Sequence, residues 1–342
     1  MTEKFLIGTY TKKSSEGIYE LSLDSNKLTD LQLVAKVGNP TYVTQSNDKR
    51  IYAVDKDVSG KGGSIALDGS HRPATEINKV IEENTNPAYI TVDENRQLVY
   101  TANYHTGEVK VYHIDQDGSL NFVDKVVHEG SVGPRPEQQN GAHPHYADLT
   151  PDNRLAVVDL GQDKVYIYDV ADNGKLTEIS QLDMEAGFGP RHIVFDADKN
   201  VAYLAGELSS KLAVLNYDSA NGSLSVKQVV STIPEDWTEH NGAAAIRMSS
   251  DGKFVYLSNR GHNSLAVFES DENANVKLVQ LISTEGDFPR DFNFNADESL
   301  VICLNQNTDN ATLYQRNAEN GKLTMIQKDF TVPEGVCVAP EK

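Results

Sequence analysis

Cysteine is nearly absent: Cys303 and Cys337 are the only two in 342 residues, and each lies inside an apolar, strand-like stretch. So sparse a pair builds no disulfide framework, which points to a reducing compartment, expected to be the cytoplasm. Long apolar runs are missing too. No segment nears the ~20 apolar residues that cross a bilayer. The opening Met1-Thr2-Glu3-Lys4-Phe5 lacks the apolar core of a secretory leader. Positive charge is scarce, with 31 Lys and Arg against 50 Asp and Glu, a formal net charge of −19. A surface of that sign repels nucleic acid and anionic membranes, so neither is expected as a partner. A local cluster of arginine in such a chain works against the field of the whole molecule and needs a reason. The 39% hydrophobic and 24% charged residues are otherwise ordinary globular values.

Amphipathic helical patterns are also missing, and one unit recurs in their place. Pro-x-x-aliphatic opens a short strand, a polar turn rich in Asp and Asn follows, and an apolar strand carrying Tyr comes next. Pro40-Thr-Tyr-Val43 leads in this way to Ile51-Tyr-Ala-Val54, and Pro190-Arg-His-Ile193 to Val201-Ala-Tyr-Leu204. Copies start at residues 40, 87, 144, 190, 243 (degenerate, Ala243-Ala-Ala-Ile246) and 289, between 46 and 57 residues apart. That period suits a four-stranded propeller blade of ~40–50 residues. Third strands such as Lys164-Val-Tyr-Ile-Tyr168 and turns such as Asn221-Gly-Ser-Leu224 complete each unit. A lone first strand remains at Pro333-Glu-Gly-Val336, while residues 5–10, 17–22 and 28–37 read as the three strands it lacks. The expected fold is therefore all-β: a seven-bladed β-propeller of one domain, residues 1–342, whose last blade is shared by the N- and C-termini. Closure into a ring removes the unpaired sheet edges that invite aggregation.

Antiparallel neighbours bring the start of each first strand and the end of each second strand to the same end of a blade. Those points converge on one mouth of the central channel. After the opening Pro the blades carry Thr41, Ala88, His145, Arg191, Ala244, Arg290 and Glu334. At the second-strand ends stand Lys56, Tyr104, Leu160 or Gly161, Glu207, Arg260, Gln306 and Tyr10. His145, Arg191, Glu207, Arg260 and Arg290 are thus expected at one opening, where three guanidinium groups suit an anionic ligand. Taken singly each has a structural alternative: Arg191 and Arg290 as bridges between blades, Glu207 and Arg260 as an ion pair. The spacings of His143, His192, His240 and His262 match no ligand pattern, so no metal and no cofactor is expected.

Several elements then resemble one family. Gly141-Ala-His-Pro-His145, Pro151-Asp-Asn-Arg154, Asp159-Leu-Gly-Gln-Asp163, Gly189-Pro-Arg-His192, Glu207-Leu-Ser-Ser210, Asn259-Arg260 and Phe288-Pro-Arg290 are similar to the bacterial lactonase family of seven-bladed propellers. Its members include 6-phosphogluconolactonase and, more distantly, 3-carboxy-cis,cis-muconate lactonizing enzyme. The resemblance runs end to end and implies a hydrolase of the pentose phosphate pathway that opens 6-phospho-glucono-δ-lactone, a small anionic lactone. It implies His145, Arg191, Glu207 and Arg260 as catalytic residues, the set reached from the repeat. Arg290, His192, His143, Tyr104 and Arg135 are expected to bind substrate, Arg135 from the long approach Gly133-Pro-Arg-Pro-Glu-Gln-Gln-Asn140 together with Gln138. An unperturbed imidazole titrates near neutrality, so His145 is the favoured base and Glu207 the residue that orients it or the water, with the reverse assignment of the two roles as the alternative. A muconate-type lactonizing reaction, another sugar lactonase, and a non-catalytic interaction propeller are the alternatives.

Overall fold

The computed structural model describes residues 2–57, 59–81 and 85–342. The strands of these residues form seven four-stranded antiparallel sheets; the only helical turn among them is a short 3-10 turn at Pro136–Gln138. Among the described residues no helix is long and apolar enough to cross a membrane.

The innermost strands are Val43–Gln45, Tyr89–Asp93, Pro144–Leu149, Pro190–Asp196, Gly242–Met248, Pro289–Phe294 and Gly335–Pro340. They touch one another in that order and the last touches the first, closing the sheets into a propeller ring. Pro144, Pro190 and Pro289 are the first residues of their strands, where a missing N–H costs no ladder bond. The strand Gly335–Pro340 pairs antiparallel with Glu3–Thr9, Phe5 opposite Pro340 and Ile7 opposite Val338.

The recurring Tyr of the second strands explains itself in the packing. Tyr52, Tyr203 and Tyr256 are wholly buried, and their hydroxyls reach the following blade. Tyr52 donates to Gly118 O at 3.1 Å, Tyr256 donates to Gly321 O at 2.7 Å, and Tyr203 lies 2.7 Å from Ser270 Oγ. Each ring fills the space between blades while its polar tip is satisfied. Amides on the outer strands add a second tie. Gln327 accepts the Leu28 N–H at 2.7 Å and donates to Leu28 O at 3.1 Å, across the junction of the chain's two ends. Gln228 with Val276 and Gln280 with Leu323 repeat the same pattern.

Candidate active site

Three inner strands carry an unmatched residue at the same point. Pro144 pairs with Asp159 and Tyr146 with Val158, which leaves His145 outside the ladder. Arg191 is left out between Pro190 and His192, and Arg290 between Pro289 and Asp291. A bulge of this kind bends the strand and re-aims the extra side chain. His145 and Arg290 line a cavity of about 370 Å³ with Tyr10, Lys12, Lys56, Tyr104, Glu207 and Arg260. The cavity lies where the inner strands begin and the second strands end.

Its wall is organised by one carboxylate. Glu207 follows directly on the strand Val201–Gly206, and its N–H donates to Gly189 O at 2.7 Å. Glu207 Oε2 lies 2.8 Å from Arg260 Nη2 and 2.9 Å from Arg191 Nε. The Arg191 N–H is not aimed at that oxygen, so this second contact is Coulombic rather than a hydrogen bond. Arg260 also donates from Nε to Gly242 O at 3.2 Å and from Nη2 to Ala243 O at 3.3 Å, and lies over the Phe288 ring. The ion pair of the structural alternative exists, and both of its residues line the cavity.

Burial and charge set the protonation states. Burial alone would raise Glu207, but Arg260, Arg191 and Arg290 together hold its carboxyl below the ordinary value. Burial first, then Arg191, Arg290 and Arg260, push the His145 imidazole well below its ordinary value. His192, its ring 5.1 Å from that of His145, is depressed in the same way by burial and Arg191. The sequence alone suggests an unperturbed imidazole at position 145; burial first, and then the guanidinium groups of three other blades, make it a weaker base. Arg191 and Arg260 are themselves lowered, chiefly by burial, yet a guanidinium has enough range to remain charged.

The motif residues outside the cavity hold this arrangement. Gly189 has φ +58°, and a Cβ there would lie 2.3 Å from Leu208 Cγ, so the turn into Arg191 requires glycine. Asp163 accepts the N–H groups of Gly187 and Gly189, both at 2.7 Å. Asn259 Oδ1 accepts from Thr232 Oγ1 at 2.8 Å and from Asn241 Nδ2 at 3.2 Å, fixing the strand end that carries Arg260. His143 stacks on Tyr104 with centroids 4.2 Å apart, and its Nδ1 donates to Tyr104 O at 2.6 Å. That bond places the proton on Nδ1 and leaves Nε2 buried without a partner.

The structure therefore brings His145, Glu207, Arg260, Arg290 and Tyr104 to one cavity, with Arg191 buried behind Glu207. His192 lies deeper, its ring against Tyr42, Tyr89 and Tyr146. His143 acts on the cavity through Tyr104. Arg135 is not brought there: it is exposed, its side chain running over Gly187. Gln138 is wholly buried, its amide spent on Asp163 Oδ1 and Leu160 O, both at 2.8 Å. The long approach is thus an anchored loop beside the site. Glu334 differs too, since its carboxylate turns to the backbone of the 11–15 loop. Lys12 has no place in the repeat alignment; the one signal for it was its position just beyond Tyr10. Among the described residues no group of three His, Cys, Asp or Glu side chains is placed to hold a metal ion.

Residues 4–340 match the family model described as "Lactonase, 7-bladed beta-propeller". The 6-phosphogluconolactonase of Bacillus subtilis (strain 168) is 42% identical over 340 residues, covering 97% of this chain and 96% of that one. A Lactobacillus plantarum protein of solved structure is 55% identical with a TM-score of 0.98, covering both chains completely. The periplasmic gluconolactonase of Pseudomonas aeruginosa is 29% identical with a TM-score of 0.90, over 100% of this chain and 99% of that one.

Proposed function

The chain belongs to the lactonase family of seven-bladed β-propellers, and from that premise we propose that it hydrolyses 6-phospho-glucono-δ-lactone to 6-phosphogluconate. The setting is the pentose phosphate pathway and the compartment the cytoplasm. One observation carries the reading: a neutral imidazole, His145, and a guanidinium pinned by a carboxylate, Arg260 on Glu207, share one small cavity. These are the groups that opening a cyclic ester needs.

Water attacks the lactone carbonyl and gives up a proton to His145. The tetrahedral oxyanion that forms is met by Arg260, a preorganised donor of a kind worth ~3–4 kcal/mol of barrier. The ring C–O bond then breaks, and the departing oxygen takes a proton from the His145 imidazolium. The nearby guanidiniums disfavour that imidazolium, which makes it a willing acid for the second step. Glu207, held low by three arginines, is a poor base and serves to fix Arg191 and Arg260.

The test uses freshly generated phosphogluconolactone, with 6-phosphogluconate measured by an NADP-linked dehydrogenase and the spontaneous opening subtracted. Enzyme-dependent acceleration is expected. A rate equal to that of buffer would end the proposal. A sugar lactone without phosphate is the second reading, supported by the likeness to the Pseudomonas aeruginosa gluconolactonase, and serves as the companion substrate.

A further inference from the structure

The cavity has further cationic lining that takes no direct part in the bond-making steps above. Tyr10, Lys12, Lys56 and Arg290 line the same cavity as the catalytic cluster, together with Asn39 and Thr41. We propose that Lys12, Lys56 and Arg290 form a subsite for a phosphate dianion, which holds the phosphorylated arm of the lactone and selects against unphosphorylated sugar lactones. The inference rests on the lactonase reading of this cavity and adds to it the residues that choose the substrate class.

Charge is the first argument. In a chain of net charge −19, four cations line one cavity; Arg260 pairs with Glu207, and the other three, Lys12, Lys56 and Arg290, form no ion pair with a carboxylate among the described residues. Lys12 Nζ lies 4.2 Å from the Tyr10 ring centroid and the Arg290 guanidinium 5.6 Å from it, so the same ring carries both. The local field is strong enough to lower the Tyr10 hydroxyl, Arg290 first despite opposing burial, then Lys12. Cations that face a cavity without a carboxylate partner are available to pair with an anionic ligand.

Preorganisation is the second. The loop that bears Lys12 is tied at both ends. Glu334, buried, accepts the N–H groups of Lys12, Lys13 and Ser15 at 3.0, 2.9 and 3.2 Å. Thr11 and Asn39 exchange two further bonds, each 3.1 Å. Lys56 ends its strand with its N–H on Gly38 O at 2.7 Å, one residue before Asn39. A Cβ at Gly38 would lie 1.8 Å from Lys56 O, so the two segments approach as closely as glycine permits. The ammonium groups are therefore presented from a fixed backbone. Two point charges and one planar fork suit a compact, doubly charged anion.

Calorimetric titration with 6-phosphogluconate and with gluconate reads the subsite apart from catalysis. The wild-type protein is expected to prefer 6-phosphogluconate by roughly 30-fold, the scale of two charge-assisted contacts. In Lys12→Met/Lys56→Met that ratio should fall below about threefold. Both side chains reach solvent, so the fold should tolerate the change. Equal affinities in the wild type, or an undiminished ratio in the double variant, would overturn the assignment. The hydrolysis assay is scored separately, so loss of the lactonase reading and loss of the subsite give different results.

Discussion

The buried carboxylate of Glu334 accepts the backbone N–H of Lys12 at 3.0 Å, although 322 residues separate the two in sequence. Only closure of the ring between the chain ends makes this contact. It turns a residue of the last inner strand into the support of the loop that rims the cavity.

Glu334→Ala should unhook three N–H groups at once. A loss of about 1–3 kcal/mol in urea denaturation is expected. The kinetic signature is more specific: KM for the phosphorylated lactone should rise several-fold while kcat changes little, because the loop positions and does not react. An unchanged KM alongside the stability loss would leave Glu334 a structural residue only.

His145→Ala should lower kcat by about 10²–10⁴, the usual weight of a general base. Its ring forms no hydrogen bond through the buried Nδ1, so the urea midpoint should move little. A variant of near-normal rate would remove His145 from the reaction.

Glu207→Gln should be costlier to the fold. Arg191, 3% exposed, and Arg260, 5% exposed, would lose their shared counter-charge. Breaking one partner of such a cluster costs roughly 3 kcal/mol, readable in denaturant. Turnover should fall as well, since Arg260 would no longer be held toward the cavity. Stability equal to wild type would mean that solvent or a mobile anion replaces the carboxylate.

Acid should destabilise the protein earlier than carboxylates alone would. His145 and His192 are held well below the ordinary 6.5, by burial first and Arg191 next. The unfolded chain takes up protons near that value and the folded chain refuses them. Their contribution is complete above about pH 7 and declines as pH falls through 6.5. Each costs about 1.4 kcal/mol at one pH unit below its unfolded value. Asp148 and Asp291, raised by burial, act in the opposite sense as acid is added. Denaturation of wild type and His192→Gln between pH 7.5 and 5.5 separates the effects: the variant should show the shallower slope. Identical slopes would assign the acid sensitivity elsewhere.

How far the sequence reaches is clearest at particular residues. Pro144, Pro190 and Pro289 announce the inner strands because proline fits a strand's first position, and Tyr52, Tyr203 and Tyr256 mark second strands because in those blades a Tyr fills the space toward the next blade. The bulges at His145, Arg191 and Arg290 leave no such mark. Their sequence spacing is that of an ordinary strand, and the extra residue shows only in the register with the neighbour. Arg135 misleads for a related reason: its charge suggests a ligand, but the buried Gln138 anchors its loop outside the cavity.

The repeat, the number of blades and the end of the blades at which His145, Glu207, Arg260 and Arg290 gather were legible in the sequence alone, because period-2 burial and turn chemistry are local and recur from unit to unit. The tertiary structure decided that Arg191 and Arg260 meet one oxygen of Glu207, that Glu334 faces a loop, and that the His145 imidazole is pushed below its ordinary value. Those facts depend on register and ring closure, and on electrostatic potentials summed over blades far apart in the chain.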